Sequence, residues 1–131
     1  MANYEGMIRS NDFRLKPRAK KKFEALCNEL TAECEIYASV RKGGDKKNYA
    51  SIACYSDIEY YDEETDEYDI DIFYEKLKDC IADDDAAIFI ETGHEKLRYL
   101  GAFATIVTSK TVEYLNLDEL AEKKAKELLA S

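Results

Sequence analysis

The sequence is poor in the residues that break secondary structure or divide a chain into domains. Its 131 residues include one proline, five glycines and no tryptophan, and no proline- or glycine-rich linker separates two parts of the chain. We therefore expect a single domain that spans residues 1–131. No run of about 18 apolar residues is present, which argues against a membrane-spanning helix. Because the first residues also contain no apolar stretch of a secretory signal, we expect a cytoplasmic protein.

Histidine and paired cysteines are also scarce. His94 is the only histidine, and the four cysteines (Cys27, Cys34, Cys54 and Cys80) include no C-x-x-C pair. The common zinc-binding patterns need such pairs or several histidines, so we expect no metal and no cofactor. Each cysteine lies in or beside an apolar stretch, which predicts four reduced thiols in the core.

The sequence contains none of the motifs that mark common enzyme active sites. A phosphate-binding loop, a dinucleotide-binding glycine motif, a nucleophile elbow and the zinc motif H-E-x-x-H are all absent. We therefore expect that the chain is not an enzyme. A small enzyme that uses a cysteine or a pair of carboxylates stays as an alternative, with His94 as the one histidine that a cysteine can use.

Charge is abundant, and its two signs are separated along the chain. The net charge is −9, yet residues 1–22 carry +5 and residues 57–85 carry −12. An acidic chain lacks the basic surface of a nucleic-acid-binding protein, so we expect no direct contact with DNA. The basic segment, which includes Lys20, Lys21 and Lys22, is interpreted as a solvated helix face; the alternatives are an internal partner of the acidic stretch at residues 56–71 and a contact with RNA.

The most unusual segment runs from residue 57 to residue 71, where nine of fifteen residues are acidic and three are tyrosines. We predict an irregular loop that binds a protein partner, because closely spaced carboxylates resemble DNA phosphates and tyrosines are common interface anchors. The predicted partner-binding residues are Asp57, Glu59, Tyr60, Tyr61, Asp62, Glu63, Glu64, Asp66, Glu67, Tyr68, Asp69 and Asp71. The alternatives are a solvated loop and a Ca²⁺ or Mg²⁺ site, although the spacing does not match an EF-hand.

Hydrophobic periodicity predicts an α+β domain. The predicted order is β-α-β-β-α-β-β-β-α, with a mainly antiparallel sheet of five to six strands and three helices. A hairpin is expected across Gly43 and Gly44, and the expected helix N-caps are Asp69 or Asp71 for the second helix and Asn116 for the third. The face that the last helix is expected to bury consists of Leu117, Leu120, Ala121, Leu128 and Leu129.

Two short motifs are distinctive. They are Asn3-Tyr4-x-Gly6-x-x-Arg9-Ser10-Asn11-x-Phe13-Arg14 and Glu95-Lys96-Leu97-Arg98-Tyr99-Leu100. In these motifs and in the order of its elements, the chain resembles a family of short acidic proteins carried by bacterial phages, plasmids and integrative elements. That family is similar in setting to anti-restriction and anti-CRISPR proteins, so the resemblance implies an inhibitor that acts in the bacterial host cell. Arg9, Ser10 and Asn11 are interpreted as a structural network that orients a strand end against Glu95 and Arg98, with a binding site as the alternative.

These observations lead to one leading hypothesis and two alternatives. We expect a non-enzymatic inhibitor of a bacterial nucleic-acid-targeting defence system, whose basic channel is occupied by the acidic, tyrosine-containing loop. The expected partner is a CRISPR effector or another nucleic-acid-binding defence protein, and neither DNA itself nor a membrane. The alternatives are an adaptor or regulatory protein-binding module of a mobile element, and a small Cys- or carboxylate-dependent enzyme.

Overall fold

The computed structural model describes residues 4–96 and 99–131. Its strands are β1 (Tyr4–Ser10), β2 (Phe13–Arg14), β3 (Leu30–Ala32), β4 (Ile36–Lys42), β5 (Asn48–Cys54), β6 (Ile58–Asp62), β7 (Glu67–Tyr68), β8 (Ala87–Glu95), β9 (Tyr99–Val107) and β10 (Val112–Asn116). Its helices are α1 (Lys20–Asn28), α2 (Ile70–Leu77) and α3 (Leu117–Ala130), and a 3₁₀ turn, Lys78–Cys80, continues α2. Within these residues the predicted α+β class, mainly antiparallel sheet and three helices are confirmed.

Seven of the strands form one antiparallel sheet, called the main sheet below. Its order is β4-β5-β1-β8-β9-β10, and β2 continues the line of β1 beside β5. The predicted hairpin across Gly43 and Gly44 is confirmed, since β4 and β5 pair from Ile36↔Cys54 to Lys42↔Asn48. The strand count exceeds the prediction because the chain bends between β1 and β2, and because β3, β6 and β7 form a second, three-stranded sheet.

The bend between β1 and β2 is held by two residues of the first sequence motif. The side chain of Asn11 donates to the carbonyl of Ala86 at 3.0 Å and accepts from the amide of Ile88 at 2.7 Å. The hydroxyl of Ser10 accepts from the amide of Ile52 at 2.9 Å. These side chains satisfy backbone groups that the bend would otherwise leave unpaired. Ser10 and Asn11 thus form a structural network whose partners are backbone groups of Ala86, Ile88 and Ile52, whereas the predicted partner Arg98 lies outside the described residues.

The hydrophobic core lies between α1, α2 and one face of the main sheet. Phe13 of β2 contacts Phe23 of α1 edge-on at 5.8 Å between ring centroids, and Phe89 of β8 at 6.3 Å. Tyr74 of α2 contacts Phe89 from the other side at 5.2 Å. Phe13 has no exposed surface at all. This cluster fixes α1 and α2 on the sheet, and α2 in turn supports the acidic segment described below.

The observed environment of helix α3 differs from the predicted one. Asn116 caps it as expected, since its side-chain oxygen accepts from the amides of Asp118 and Glu119. None of its fourteen residues is buried, however, and Leu117 and Leu128 are 57% and 63% exposed. The prediction that its leucine face packs on the sheet is therefore wrong. Among the described residues no helix combines the length and hydrophobicity needed to cross a membrane.

Candidate protein-binding hairpin

The acidic segment forms a β-hairpin rather than the irregular loop that the sequence predicts. Strands β6 and β7 pair antiparallel, with Tyr61 opposite Tyr68 and Asp62 opposite Glu67. On its other side β6 pairs with β3, which extends from the end of α1. Residues 57–68 are called the acidic hairpin below. Because two neighbouring elements fix β6, the hairpin has a defined shape instead of the freedom of a solvated loop.

Side chains along β6 alternate strictly between the core and the solvent. Ile58, Tyr60 and Asp62 are buried, whereas Glu59 is exposed and Tyr61 is half-buried. This period of two is that of a half-buried strand. The pattern is hard to recognise in the sequence because one of the inward residues is Asp62. An analysis by hydrophobicity assigns a charged residue of this kind to the solvent side.

Tyr60 anchors the acidic hairpin in the core. Its ring is fully buried and lies 5.9 Å from the ring of Phe73 in α2. Its hydroxyl donates to a carboxylate oxygen of Glu29 at 2.6 Å and accepts from the ammonium of Lys76 at 3.1 Å. This hydrogen bond raises the pKa of Lys76, which stays charged. The prediction that Tyr60 contacts a partner is therefore corrected, since no part of it reaches the surface.

Asp62 holds the tip of the acidic hairpin. It is only 4% exposed, and it accepts from the amide of Thr65 at 3.3 Å and from its hydroxyl at 2.9 Å. The ammonium of Lys76 lies 3.6 Å from its other carboxylate oxygen. The hydrogen bonds from Thr65 lower the pKa of Asp62, and the charge of Lys76 lowers it further. Asp62 is thus a structural residue, which corrects its predicted role as a partner contact.

The remaining ten predicted partner-binding residues lie at least partly at the surface. Four of them are exposed, and their carboxylates form no hydrogen bond or ion pair within the described part of the chain: Glu59, Glu63, Glu64 and Glu67. Because these carboxylates have no internal partner, a partner protein can bind them without first breaking a contact.

Three other predicted partner-binding residues, Asp66, Asp69 and Asp71, form hydrogen bonds that stabilise the fold. Asp69 is the N-cap of α2, since its side chain accepts from the amide of Asp71 at 3.0 Å. This confirms one of the two predicted caps and excludes Asp71, which instead accepts from the hydroxyl of Tyr114 at 2.9 Å. Asp66 has a left-handed backbone, with φ of 56°, and accepts from the hydroxyl of Tyr61. Substitutions at these positions would change the fold as well as the charge.

Two tyrosines form a pair on the outward side of the acidic hairpin. The rings of Tyr61 and Tyr68 lie 5.3 Å apart across the two strands. Tyr68 is 63% exposed, and Tyr61 is held in place by its hydrogen bond to Asp66. A rigid tyrosine with a large accessible face offers contact area at a small cost in conformational entropy. The pair is thus suited to contact a partner.

The basic segment near the N-terminus does not neutralise the acidic hairpin. Arg14 forms an ion pair with Asp84, and the ammonium of Lys22 lies 3.4 Å from a carboxylate oxygen of Asp79. Lys16 lies 3.8 Å from Asp83 in the same way. The basic segment therefore has internal partners, as one interpretation proposed, but they follow α2 in the sequence. The charge of the hairpin is left largely uncompensated.

Three acids outside the predicted set extend this surface. Glu5 and Glu33 line a cleft together with Asp57 and Glu59 at the base of the acidic hairpin. Glu91 of β8 is half-buried, and burial raises its pKa, which the neighbouring charge of Asp57 raises further. Sequence reasoning missed these residues because they lie far from residue 57 in the chain. Glu5 and Glu91 lie on the paired strands β1 and β8, and Glu33 follows β3, which pairs with β6.

The structure also bears on the enzyme alternative. Cys34 is exposed, which corrects the prediction that all four thiols lie in the core. Burial raises the pKa of Cys27 to about 12, so its reactive thiolate is rare at neutral pH. His94 lies 3.4 Å from a carboxylate oxygen of Glu5, measured from its Nε2. Within residues 4–96 and 99–131, no three His, Cys, Asp or Glu side chains are grouped to hold a metal ion.

Comparison with known proteins identifies no relative of this chain. No protein family, curated protein or solved structure matches it. The resemblance to short acidic proteins of mobile elements therefore stays a prediction. The shape, charge and exposure of the acidic hairpin are the observations that bear on its function.

Proposed function

We propose that this chain is a non-enzymatic inhibitor of a bacterial nucleic-acid-targeting defence system. In this proposal the acidic hairpin binds a basic nucleic-acid channel of the effector, most concretely a CRISPR effector nuclease. The observation that carries the proposal is a rigid ribbon of carboxylates with four fully unpaired glutamates on its surface. Binding of this ribbon excludes the nucleic acid that the channel normally holds.

The spacing of the charges supports this mechanism. Besides Asp62, residues 57–68 contain six carboxylates, and a five-residue strand such as β6 is about 17 Å long. The acidic hairpin thus carries roughly one charge per 3 Å of its length, compared with about 3.4 Å along one strand of duplex DNA. A channel lined with lysine and arginine therefore meets a similar density of negative charge.

The anchoring of the hairpin supports the proposal as well. Tyr60 and Asp62 fix the inward side of β6, and Lys76 of α2 contacts both of them. A preorganised surface loses little conformational entropy on binding, so more of the electrostatic attraction contributes to affinity. The exposed ring of Tyr68 adds apolar contact area that phosphates lack, which favours a protein partner over a simple counterion.

The proposal is tested with two variants that lose the same number of charges. In the hairpin variant, Glu59, Glu63, Glu64 and Glu67 are replaced by glutamine, and Asp62 and Asp66 are kept because they hold the fold. In the control variant, four exposed acids outside the hairpin are replaced by glutamine: Glu24, Glu113, Glu119 and Glu122. Tagged forms of wild type and both variants capture partners from the lysate of a CRISPR-bearing bacterium at low and high salt.

We expect wild type and the control variant to capture the same nucleic-acid-binding effector, with less of it at high salt. The hairpin variant should capture far less, because roughly 0.2–1 kcal/mol is lost with each exposed ion pair. Equal capture by all three forms would contradict the role of the hairpin. Capture of another kind of protein, insensitive to salt, would favour the adaptor alternative.

A further inference from the structure

The apolar face of α3 is largely exposed within the described part of the chain, since Leu117, Leu120 and Leu128 are 57%, 45% and 63% exposed. Leu117, Leu120, Ala121 and Leu128 lie on one side of the helix, since they are spaced by three, four and seven residues. An isolated helix of about 14 residues is marginally stable in water, and burial of an amphipathic face normally stabilises it. Exposed leucines along such a helix therefore indicate a surface that is covered by something outside this copy.

The main sheet has a second uncovered apolar surface. The face opposite to α1 and α2 is called the outer face, and it carries Met7, Tyr37, Tyr55, Ile88, Ile90 and Leu100. Ile90 is 44% exposed and Leu100 is 65% exposed. Met7, Tyr37, Tyr55 and Ile90 line a groove of about 580 Å³ in this face.

The helix and the outer face meet but do not cover each other. Asn116 is both the last residue of β10 and the N-cap of α3, so no linker allows the helix to turn back over its own sheet. Leu117 lines a shallow depression with Leu100 and Ala102, which places the start of α3 at the rim of the outer face. The apolar face of α3 thus begins beside the outer face, where Leu117 and Leu100 line the same depression.

The combined size of the two surfaces matches that of a stable dimer interface. The nine large apolar residues of α3 and the outer face are on average about half exposed, so at roughly 200 Å² for each side chain they present roughly 1,000 Å² per copy. A monomer seldom exposes a single apolar patch above roughly 600 Å², and a standard interface buries about 800 Å² per partner. Packing of α3 from each copy on the outer face of the other copy buries both apolar surfaces.

The charges around this surface do not oppose pairing of two copies. Helix α3 carries four acidic and three basic side chains, so it is nearly neutral although the chain as a whole is strongly acidic. Lys124 interrupts the apolar face, but its ammonium lies 3.7 Å from a carboxylate oxygen of Glu127 at the flank of that face. The long stem of a lysine can lie on apolar surface while its charge stays in water. On the outer face, Arg9 lies beside Ile90, and Glu5 lies beside His94.

We infer that the chain forms a two-fold symmetric homodimer in which α3 of each copy packs on the outer face of the other. The leucines of one helix fill the groove of the opposite sheet, and the two-fold axis repeats this contact. No residue of the acidic hairpin is among those named for the two apolar surfaces, although Met7 and Tyr55 of the outer face also line the cleft at the base of the hairpin. The inference is therefore independent of the proposed function.

The inference is tested by measuring the mass of the full chain by light scattering at about 100 µM, where a dimer of micromolar affinity is nearly complete. We expect about 30 kDa for wild type, twice the 15.0 kDa of one chain. The double substitution Leu120→Glu and Leu128→Glu removes four leucines from the two contacts of the dimer, so it should weaken the dimer at least about 10,000-fold and give the monomer mass. The matched change Glu122→Gln with Lys126→Gln, on the polar face of α3, should leave the dimer intact.

A mixing experiment identifies the surfaces that meet. Ile88→Lys with Ile90→Lys on the outer face should also give a monomer, and Leu100→Lys serves the same purpose if that pair fails to fold, as judged by thermal unfolding. Mixed with the helix variant, either face variant should restore a dimer, because one contact is intact and the other pairs Glu with Lys. A wild-type monomer at 100 µM would overturn the inference, as would a dimer that tolerates the helix variant or a mixture that stays monomeric.

Discussion

Replacement of Tyr60 by alanine is expected to destabilise the fold by about 3–5 kcal/mol, the usual cost of removing a buried aromatic ring. The ring is fully buried against Phe73, so its loss leaves a cavity between β6 and α2. It also leaves Glu29 and Lys76 without the hydroxyl that joins them. Urea unfolding followed by circular dichroism measures the change in the free energy of unfolding.

Tyr68→Ala is the matched control for this prediction, because Tyr68 lies in the same hairpin but is 63% exposed. Its free energy of unfolding should change by less than about 1 kcal/mol, since surface substitutions seldom cost more. Equal losses for the two variants would mean that β6 does not present alternate residues to core and solvent. The same pair separates structure from binding, because only Tyr68→Ala should weaken partner capture in a folded protein.

Replacement of Asp62 by alanine is expected to lower the thermal unfolding midpoint at pH 7, and to do so less at acidic pH. The carboxylate accepts two hydrogen bonds from Thr65 and faces Lys76, which lower its pKa in the folded state. A lowered pKa stabilises the fold above the ordinary aspartate pKa of about 3.9, and this contribution disappears as the pH falls through the folded-state pKa. Unfolding midpoints of wild type and Asp62→Ala should therefore converge toward pH 2.

Glu63→Ala supplies the comparison for Asp62, since Glu63 is adjacent, exposed and without a hydrogen bond or ion pair to the described residues. Its midpoint should follow that of wild type at every pH. A difference between wild type and Asp62→Ala that stays constant from pH 7 to pH 2 would show that the carboxylate charge contributes nothing to stability.

The parts of the fold that depend on local interactions were predictable from the sequence. The N-caps at Asp69 and Asn116 are local because each side chain bonds amides two or three residues further on. The hairpin at Gly43 and Gly44 follows from a polar turn between two runs of strand-forming residues. In each case the stabilising contact lies within a few residues, so the sequence pattern contains it.

The structure of β6 was not predictable by the same reasoning, because its inward carboxylate is satisfied by a distant partner. Lys76 comes from α2 and reaches both Tyr60 and Asp62, and the sequence does not indicate that contact. Once Asp62 is counted as an inward residue, the alternation with Ile58 and Tyr60 is regular. Two of the twelve residues predicted to contact a partner, Tyr60 and Asp62, thus lie on the inward side of the strand, and the ten others are at least partly exposed.

The environment of α3 was mispredicted for a different reason. The spacing of its leucines correctly indicates an amphipathic helix, and α3 extends from Leu117 to Ala130. An amphipathic pattern indicates that one face of the helix is buried, but it does not indicate which molecule buries it. Cys34 shows a similar limit for a single residue. It lies beside an apolar stretch of the sequence, yet it is exposed.

Competition between this chain and nucleic acid for the captured effector tests the central claim most directly. A fluorescent oligonucleotide bound to the effector reports its own release as the chain is added. We predict that wild type releases the oligonucleotide and that the hairpin variant needs about 100-fold more protein, the effect of four lost ion pairs near the upper end of their range. Binding of the chain with the oligonucleotide still fully bound, or equal release by both forms, would contradict occupation of the channel by the acidic hairpin.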